Sequence, residues 1–251
     1  VNEKRLLDTL DRFELPYEFY THIPFIGKLV FETKEKNVMM FGSINSSHLA
    51  KPYGWTPGPF YNENHDYTVY SKHYKENMLN ADSIVQKITD PITIEDEFFA
   101  RPVGDTKTFF GKIYCKETWD EALTLKIHNS KNIDTGEDRF DYEELIQIAS
   151  LKEIYQEVRC FIVKGKVIIA STYKMGGSAY FLEYFDEDIL EFANNMIDLY
   201  QLADAFVMDI CRTEKGLRIV ECGCLNACGF YDINMQKLIE AIELNFNNEN
   251  I

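Results

Sequence analysis

A chain of 251 residues, 45% hydrophobic and 14% aromatic, can bury a substantial core, as one large domain or two closely packed lobes. Its formal net charge of −15 excludes a general nucleic-acid binder, because no basic stripe exists to neutralise phosphates; a local basic pocket stays open. No run approaches the roughly 20 apolar residues of a membrane span, and no charged-then-apolar leader follows Val1, although a short N-terminal piece could precede it. With six cysteines and no leader, a disulfide framework is not expected and the expected location is cytoplasmic.

In chain order, Leu6, Leu7 and Leu10 share one face of an opening helix. Tyr17–Tyr20 and Asn37–Gly42 read as strands, Ser43–Leu49 as a helix start, and the turn-rich Lys51–Phe60 as an ordered loop. Ala81–Lys87 predicts a short helix closing an N-terminal lobe of residues 1–88. Residues 89–251 then form a second unit, with a central lobe at about 89–145 and a C-terminal lobe at about 146–246. Within it Asp96–Arg101 is a strand, Pro102–Phe109 a loop and Phe110–Cys115 a strand. Thr118, with Glu121 three residues later, predicts a capping box opening a helix through Leu125. A polar loop over Asn129–Asp138 precedes a strand at Leu145–Ala149. Ile154–Val163 and Lys166–Tyr173 make a hairpin about Gly165. Ile189, Phe192, Ala193, Met196 and Tyr200 form the apolar stripe of a helix over Asp186–Tyr200. A hairpin turning at Lys215-Gly216 and a helix over Met235–Leu244 end the chain, before an Asn-rich tail. Strand-rich and irregularly interrupted by helices, the pattern predicts an α+β fold with largely antiparallel sheets. Neither G-x-G-x-x-G nor a Walker loop occurs.

The last hairpin, FVMDICRTEKGLRIVECGCLNACGFY, carries the densest chemistry. Two neighbouring apolar strands deliver Asp209 and Glu221, and Asn226 follows in a loop of small residues. Two acids and an amide can form a hard-oxygen cage for Mg²⁺; the alternative is a hairpin whose polar residues face water. Cys211, Cys222, Cys224 and Cys228 lie in the same stretch and could bind zinc, although their spacing is not that of paired knuckles. Upstream, ARPVGDTKTFFGK sets Arg101, Lys107 and Lys112 around a glycine-bearing loop, which suits an anion site or a solvated basic hairpin. Glu157 and Arg159 share one face of a strand. There Arg159 would meet a phosphate or carboxylate, or pair with Glu157.

The order basic loop, helix, strand, E-x-R hairpin, helix, D…E…N hairpin resembles the ATP-grasp superfamily. More narrowly it is similar to the phage and bacterial clade marked by one Arg and two Lys. FFARPVGDTKTFFGKIY, EVRCFIV-KGKVIIASTYK and the last hairpin carry the resemblance, joined by MMFGS, GWTPGPF and NMLNADS, so that it runs from about Val38 to Leu244. The resemblance implies an ATP-grasp fold of two α+β lobes enclosing ATP, preceded by a small N-terminal lobe. It places Arg101, Lys107 and Lys112 on the ATP phosphates and the backbone of Ile148, Ala149 and Ser150 on the adenine. Arg159 falls on the γ-phosphate or an acyl-phosphate, making Arg159 and Lys112 the catalytic pair, and Glu157 on the ribose or a lysine. Asp209, Glu221 and Asn226 become Mg²⁺ ligands. Where the family usually has Asn two residues after the metal Glu, this chain has Gly223, so either Asn226 supplies the amide or the cage has one protein ligand fewer.

The implied activity is an ATP- and Mg²⁺-dependent carboxylate–amine ligase in a bacterial or phage-infected cell. Its partners would be ATP and small-molecule or peptide carboxylates and amines, with neither nucleic acid nor membrane. Such chemistry needs positioning and charge neutralisation more than a covalent nucleophile, and the five scattered histidines suggest no triad. A phosphotransferase and a nucleotide-binding phage–host interaction protein with degenerate catalysis are the alternatives.

Overall fold

The computed structural model describes residues 2–23, 26–94, 96–104, 109, 111–132, 141–183 and 186–247. Helix α1 (Asn2–Arg12) buries Leu6 and half-buries Leu10 against the C-terminal helix, as its apolar face predicts. β1 (Thr21–Ile23) pairs antiparallel with β2 (Lys28–Val30), so the strand expected at Tyr17–Tyr20 starts only at Thr21. β3 (Asn37–Met39) pairs parallel with β4 (Thr56–Gly58), a strand inside the expected loop. Between them α2 (Ile44–Ala50) is capped by Ser43, whose Oγ accepts from Ser46 N at 3.1 Å. Helix α3 (Tyr67–Tyr74) is absent from the predicted elements. Its signals are an N-cap, Asp66 Oδ1 accepting from Thr68 N at 2.7 Å, and the buried Tyr67, Tyr70 and Tyr74 at three- and four-residue spacing.

An antiparallel four-stranded sheet follows: β5 (Ile84–Lys87), β8 (Leu145–Ser150), β6 (Phe98–Pro102) and β7 (Lys112–Tyr114), in that spatial order. The helix expected at Ala81–Lys87 is therefore in part a strand, because β-branched Ile84 and Val85 complete a backbone ladder with Ile148 and Gln147. The lobe divisions expected at residues 88 and 145 are corrected for the same reason. β5 and β8 are hydrogen-bonded into the sheet that contains β6 and β7. Helix α4 (Lys116–Asn132) lays Trp119 on this sheet against Phe98 and Tyr114, in a core with Ile146 and Ile148. It starts earlier than expected: Thr118 lies inside it, its Oγ1 accepting from Cys115 N at 3.0 Å. The expected polar loop begins beyond Asn132, and residues 133–140 lie outside the described residues.

The second sheet has the order β11-β10-β9-β12-β13: β9 (Gln156–Val163), β10 (Lys166–Met175), β11 (Ser178–Leu182), β12 (Ala205–Thr213) and β13 (Gly216–Cys224). All its pairings are antiparallel. Gly216, at φ +91°, is the first residue of β13, so the hairpin turns on Glu214-Lys215. β9 is buried throughout because it is covered on both faces. Val158, Cys160 and Ile162 pack with Ile189, Ala193 and Met196 of α5 (Glu187–Leu199). Phe161 and Val163 pack with Leu238, Ile239 and Ile242 of α6 (Met235–Phe246). Each such side chain removed from water contributes roughly 1.5–3 kcal/mol, so strand and helix faces are strongly fixed in register. Residue 159 shares its face with Phe161 and Val163 but lies beyond their apolar cluster, where the sheet turns polar.

Residues 67–80 join the two sheets. Tyr67 N donates to Val103 O at 3.2 Å next to the first sheet, and Leu79 N donates to Ile219 O at 2.8 Å in the second. Tyr70, Tyr74, Met78 and Val103 share one core with Val158, Met208 and Ile219. Beside this segment His65 is 3% exposed, and burial lowers its pKa to about 4. With the folded value below the ordinary 6.5, the unfolded chain binds the extra proton between those pH values. Stability is therefore full above pH 6.5 and falls towards pH 4, by about 3 kcal/mol from this group. Urea unfolding at pH 7 and 4.5 should show a larger acid loss in the native protein than in His65→Gln; equal losses would refute this.

Candidate active site

Register builds the centre of the site. Asp209 on β12 lies opposite Arg159 on β9 and opposite Glu221 on β13, so three adjacent strands present a row of cation, anion and anion. Arg159 Nε and Nη2 donate to the two Asp209 oxygens at 2.7 and 2.8 Å, and Nη1 donates to Gly229 O at 3.2 Å. Its Nη2 also stands 4.0 Å from Glu221 Oε1. From the other sheet, Arg101 Nη1 donates to Glu221 Oε2 at 2.5 Å. Two guanidiniums and two carboxylates thus meet where the sheets face each other. Burial raises the Asp209 pKa, Arg159 opposes that rise and the Glu221 charge adds to it. Burial pulls Arg159 downwards, but Asp209 holds it well above its ordinary value. Glu221 is the accessible member, its side chain 36% exposed against 3% for Asp209.

Glu157 and Arg159 do not pair with each other but take separate partners. Glu157 Oε1 is 2.8 Å from Lys174 Nζ, and its Oε2 accepts from Tyr173 Oη at 2.7 Å. The Tyr173 ring stacks on Tyr231 at 4.7 Å and 8°, and Tyr231 stacks on Phe181 at 5.6 Å and 16°. The Arg159 guanidinium lies 4.9 Å from the Tyr231 centroid. These aromatic residues were not among the expected site residues. Tyr173 follows the E-x-R strand across a hairpin, and Tyr231 closes the acidic segment, but only a bulge in the β9–β10 pairing between Thr172 and Lys174 brings the hydroxyl to Glu157.

The basic residues are placed less evenly. Lys112 is exposed on the edge strand β7, opposite Ala100, with Nζ 4.8 Å from the Tyr114 ring. Gly111 before it permits close packing, since a Cβ there would come within 3.1 Å of Arg101 Cβ. Lys107 and the middle of the expected covering loop lie outside the described residues. Ile148 and Ala149 are buried and Ser150 exposed at the end of β8. Pairing with β5 stops at Ile148, while pairing with β6 continues to Ser150. An open concavity of about 480 Å³, lined by Ile94, Asp96, Glu97, Ser150 and Leu151, lies at this strand end.

Asn226 is used differently from Asp209 and Glu221. Its Oδ1 accepts from Phe60 N at 2.7 Å and from Cys224 Sγ at 3.1 Å, while Nδ2 donates to Met40 O. Both lone pairs of the amide oxygen expected on the metal are therefore engaged. Asn226→Ala should cost about 2–4 kcal/mol, because Phe60 N and Met40 O lose their buried partner, and leave the Mg²⁺ concentration dependence unchanged. Chemical denaturation and a metal titration check the two halves. None of the six cysteines is in a disulfide; Cys222 packs in the core, and burial pushes Cys211 and Cys228 up to about 12. Among the described residues no group of three or more His, Cys, Asp or Glu could hold a metal, so the four hairpin cysteines form no zinc centre there.

Two facing antiparallel sheets with charged residues at their junction match known architectures. The ATP-bound D-alanine–D-alanine ligase of Bacillus anthracis aligns with a TM-score of 0.54 and 13% identity, over 81% of this chain and 76% of that one. The ATP-grasp ligase PsnB, complexed with a phosphomimetic variant of its minimal precursor, Mg and ADP, gives a TM-score of 0.54 at 10% identity, over 97% and 93%. The Coxiella burnetii D-alanine–D-alanine ligase gives 0.53 at 12%, over 82% of this chain and 65% of that one, so the chain spans just under two thirds of that enzyme. The fold is thus the ATP-grasp fold, α+β with antiparallel sheets. Residues 52–242 match an ATP-grasp domain, family 3 of the clade named for one arginine and two lysines, and the protein belongs to that family. No curated protein matches the chain. No helix among the described residues is long and apolar enough to cross a membrane.

Proposed function

We propose that this protein is an ATP- and Mg²⁺-dependent ligase joining a carboxylate to an amine through an acyl-phosphate. The observation that carries the reading is the paired charge cluster Arg101–Glu221 and Arg159–Asp209 at the junction of the two sheets. Nucleotide would lie between the sheets, with its base at the backbone of Ile148–Ser150 and its phosphates towards Arg101, Lys107 and Lys112. Glu157, already held by Lys174, would face the ribose side.

The acidic pair fits a hard divalent cation: two carboxylates from adjacent strands, one of them over a third exposed, supply oxygen donors. Asp209 and Glu221 would hold Mg²⁺, which when bound neutralises phosphate charge; Asn226 would brace the wall behind them. A substrate carboxylate oxygen bonds to the γ-phosphorus as the bond to ADP breaks. The amine then bonds to the acyl carbon, phosphate leaves, and the amine loses a proton. Arg159 and Lys112 would stabilise the transferred phosphoryl group.

A screen of amines and carboxylates for ADP release tests this. ADP release that needs both, with a product one water lighter than the two together, is the expected result. Release with no amine requirement would favour a phosphotransferase. Nucleotide binding with no ADP release across the panel would favour a binding protein, a reading consistent with the engaged Asn226 amide.

A further inference from the structure

We propose that Tyr173 is a positioning residue for Asp209, a role that rests on the Mg²⁺·ATP reading above. Tyr173 Oη is 2.7 Å from Glu157 Oε2 and 3.2 Å from Asp209 Oδ2. A phenol has one proton, so only one of these carboxylates receives it at a time. The shorter contact gives it to Glu157, whose other oxygen is fixed by Lys174. With its proton directed there, the hydroxyl leaves Asp209 Oδ2 to Arg159 and to a cation.

The ring cannot turn away, because it is stacked on Tyr231, which is itself stacked on Phe181 and lies under the Arg159 guanidinium. Tyr231 holds this place with φ +47°, a left-handed backbone that a non-glycine residue adopts at a cost and keeps only where its surroundings demand it. Tyr173 thus links Glu157 to the carboxylate that would bind the metal, an outer partner of the kind that orients metal ligands.

Tyr173→Phe keeps the ring and the stack and removes the hydroxyl. Titrating Mg²⁺ at fixed ATP, with thermal stabilisation as the readout, should show the half-maximal concentration rising roughly tenfold to hundredfold, with little change in melting temperature without ligand. In Glu157→Ala the proton has Asp209 as its remaining carboxylate acceptor and competes with the cation there, so the same midpoint should rise. An unchanged midpoint in whichever of these variants folds overturns the proposal. A native protein that ATP and Mg²⁺ fail to stabilise refutes the ligase reading instead, so the two failures are distinguishable.

Discussion

Glu221→Ala is expected to abolish the stabilisation that ATP and Mg²⁺ together give the native protein. A ligand at 100 times its Kd stabilises by about 2.7 kcal/mol, which for a chain of this size raises the melting temperature by about 5–10 °C. Glu221 and Arg101 neutralise each other across the gap between the sheets. Nucleotide would draw Arg101 to phosphate and leave Glu221 to the cation, so each ligand supplies the partner that the other's binding removes. The stabilisation by both should therefore exceed the sum of each alone. Glu221→Ala removes the carboxylate half of this exchange; a full shift in that variant would refute the metal assignment. Thermal denaturation with ATP alone, Mg²⁺ alone and both, in the two proteins, measures it.

Asp209→Ala has a different expected result, a loss of stability before any ligand is added. Arg159 is 8% exposed and spends two donors on Asp209. Removing that acceptor leaves a buried guanidinium with Gly229 O and the more distant Glu221, at a cost of about 3–5 kcal/mol. Replacing both members, Arg159→Met with Asp209→Leu, should recover much of that loss, because a well-packed apolar pair carries no desolvation penalty. Equilibrium urea unfolding of the three proteins checks the prediction. A double variant as unstable as Asp209→Ala would mean that the pair holds the fold by more than mutual neutralisation.

Much of the fold was legible from period alone. The stripes of α1, α5 and α6, and the hairpins around Gly165 and Gly216, follow from apolar spacing and turn residues that need no distant partner. The misread elements are those with weak local signals. Ile84–Lys87 is largely exposed, and extended because β8 offers it a ladder, while α3 carries tyrosines instead of an aliphatic stripe. Lys116–Asn132 begins ahead of its expected cap because Thr118 serves as an internal capping partner, a role with the same residue type.

For the site, the sequence by itself determined which chemistry is present: acids at 209 and 221, an inward Arg159, a basic strand end at Arg101, and their order along an ATP-grasp chain. It could do so because β-strand alternation fixes which residues share a face. Partnership was decided only by the tertiary structure, because it depends on register, bulges and the approach of a second sheet. Arg159 took Asp209 and not Glu157, Arg101 crossed to Glu221, and Tyr173 entered through a bulge. Asn226 was drawn into the wall by Phe60 N and Met40 O, buried groups more than 160 residues away in the chain that require a partner wherever the fold places them.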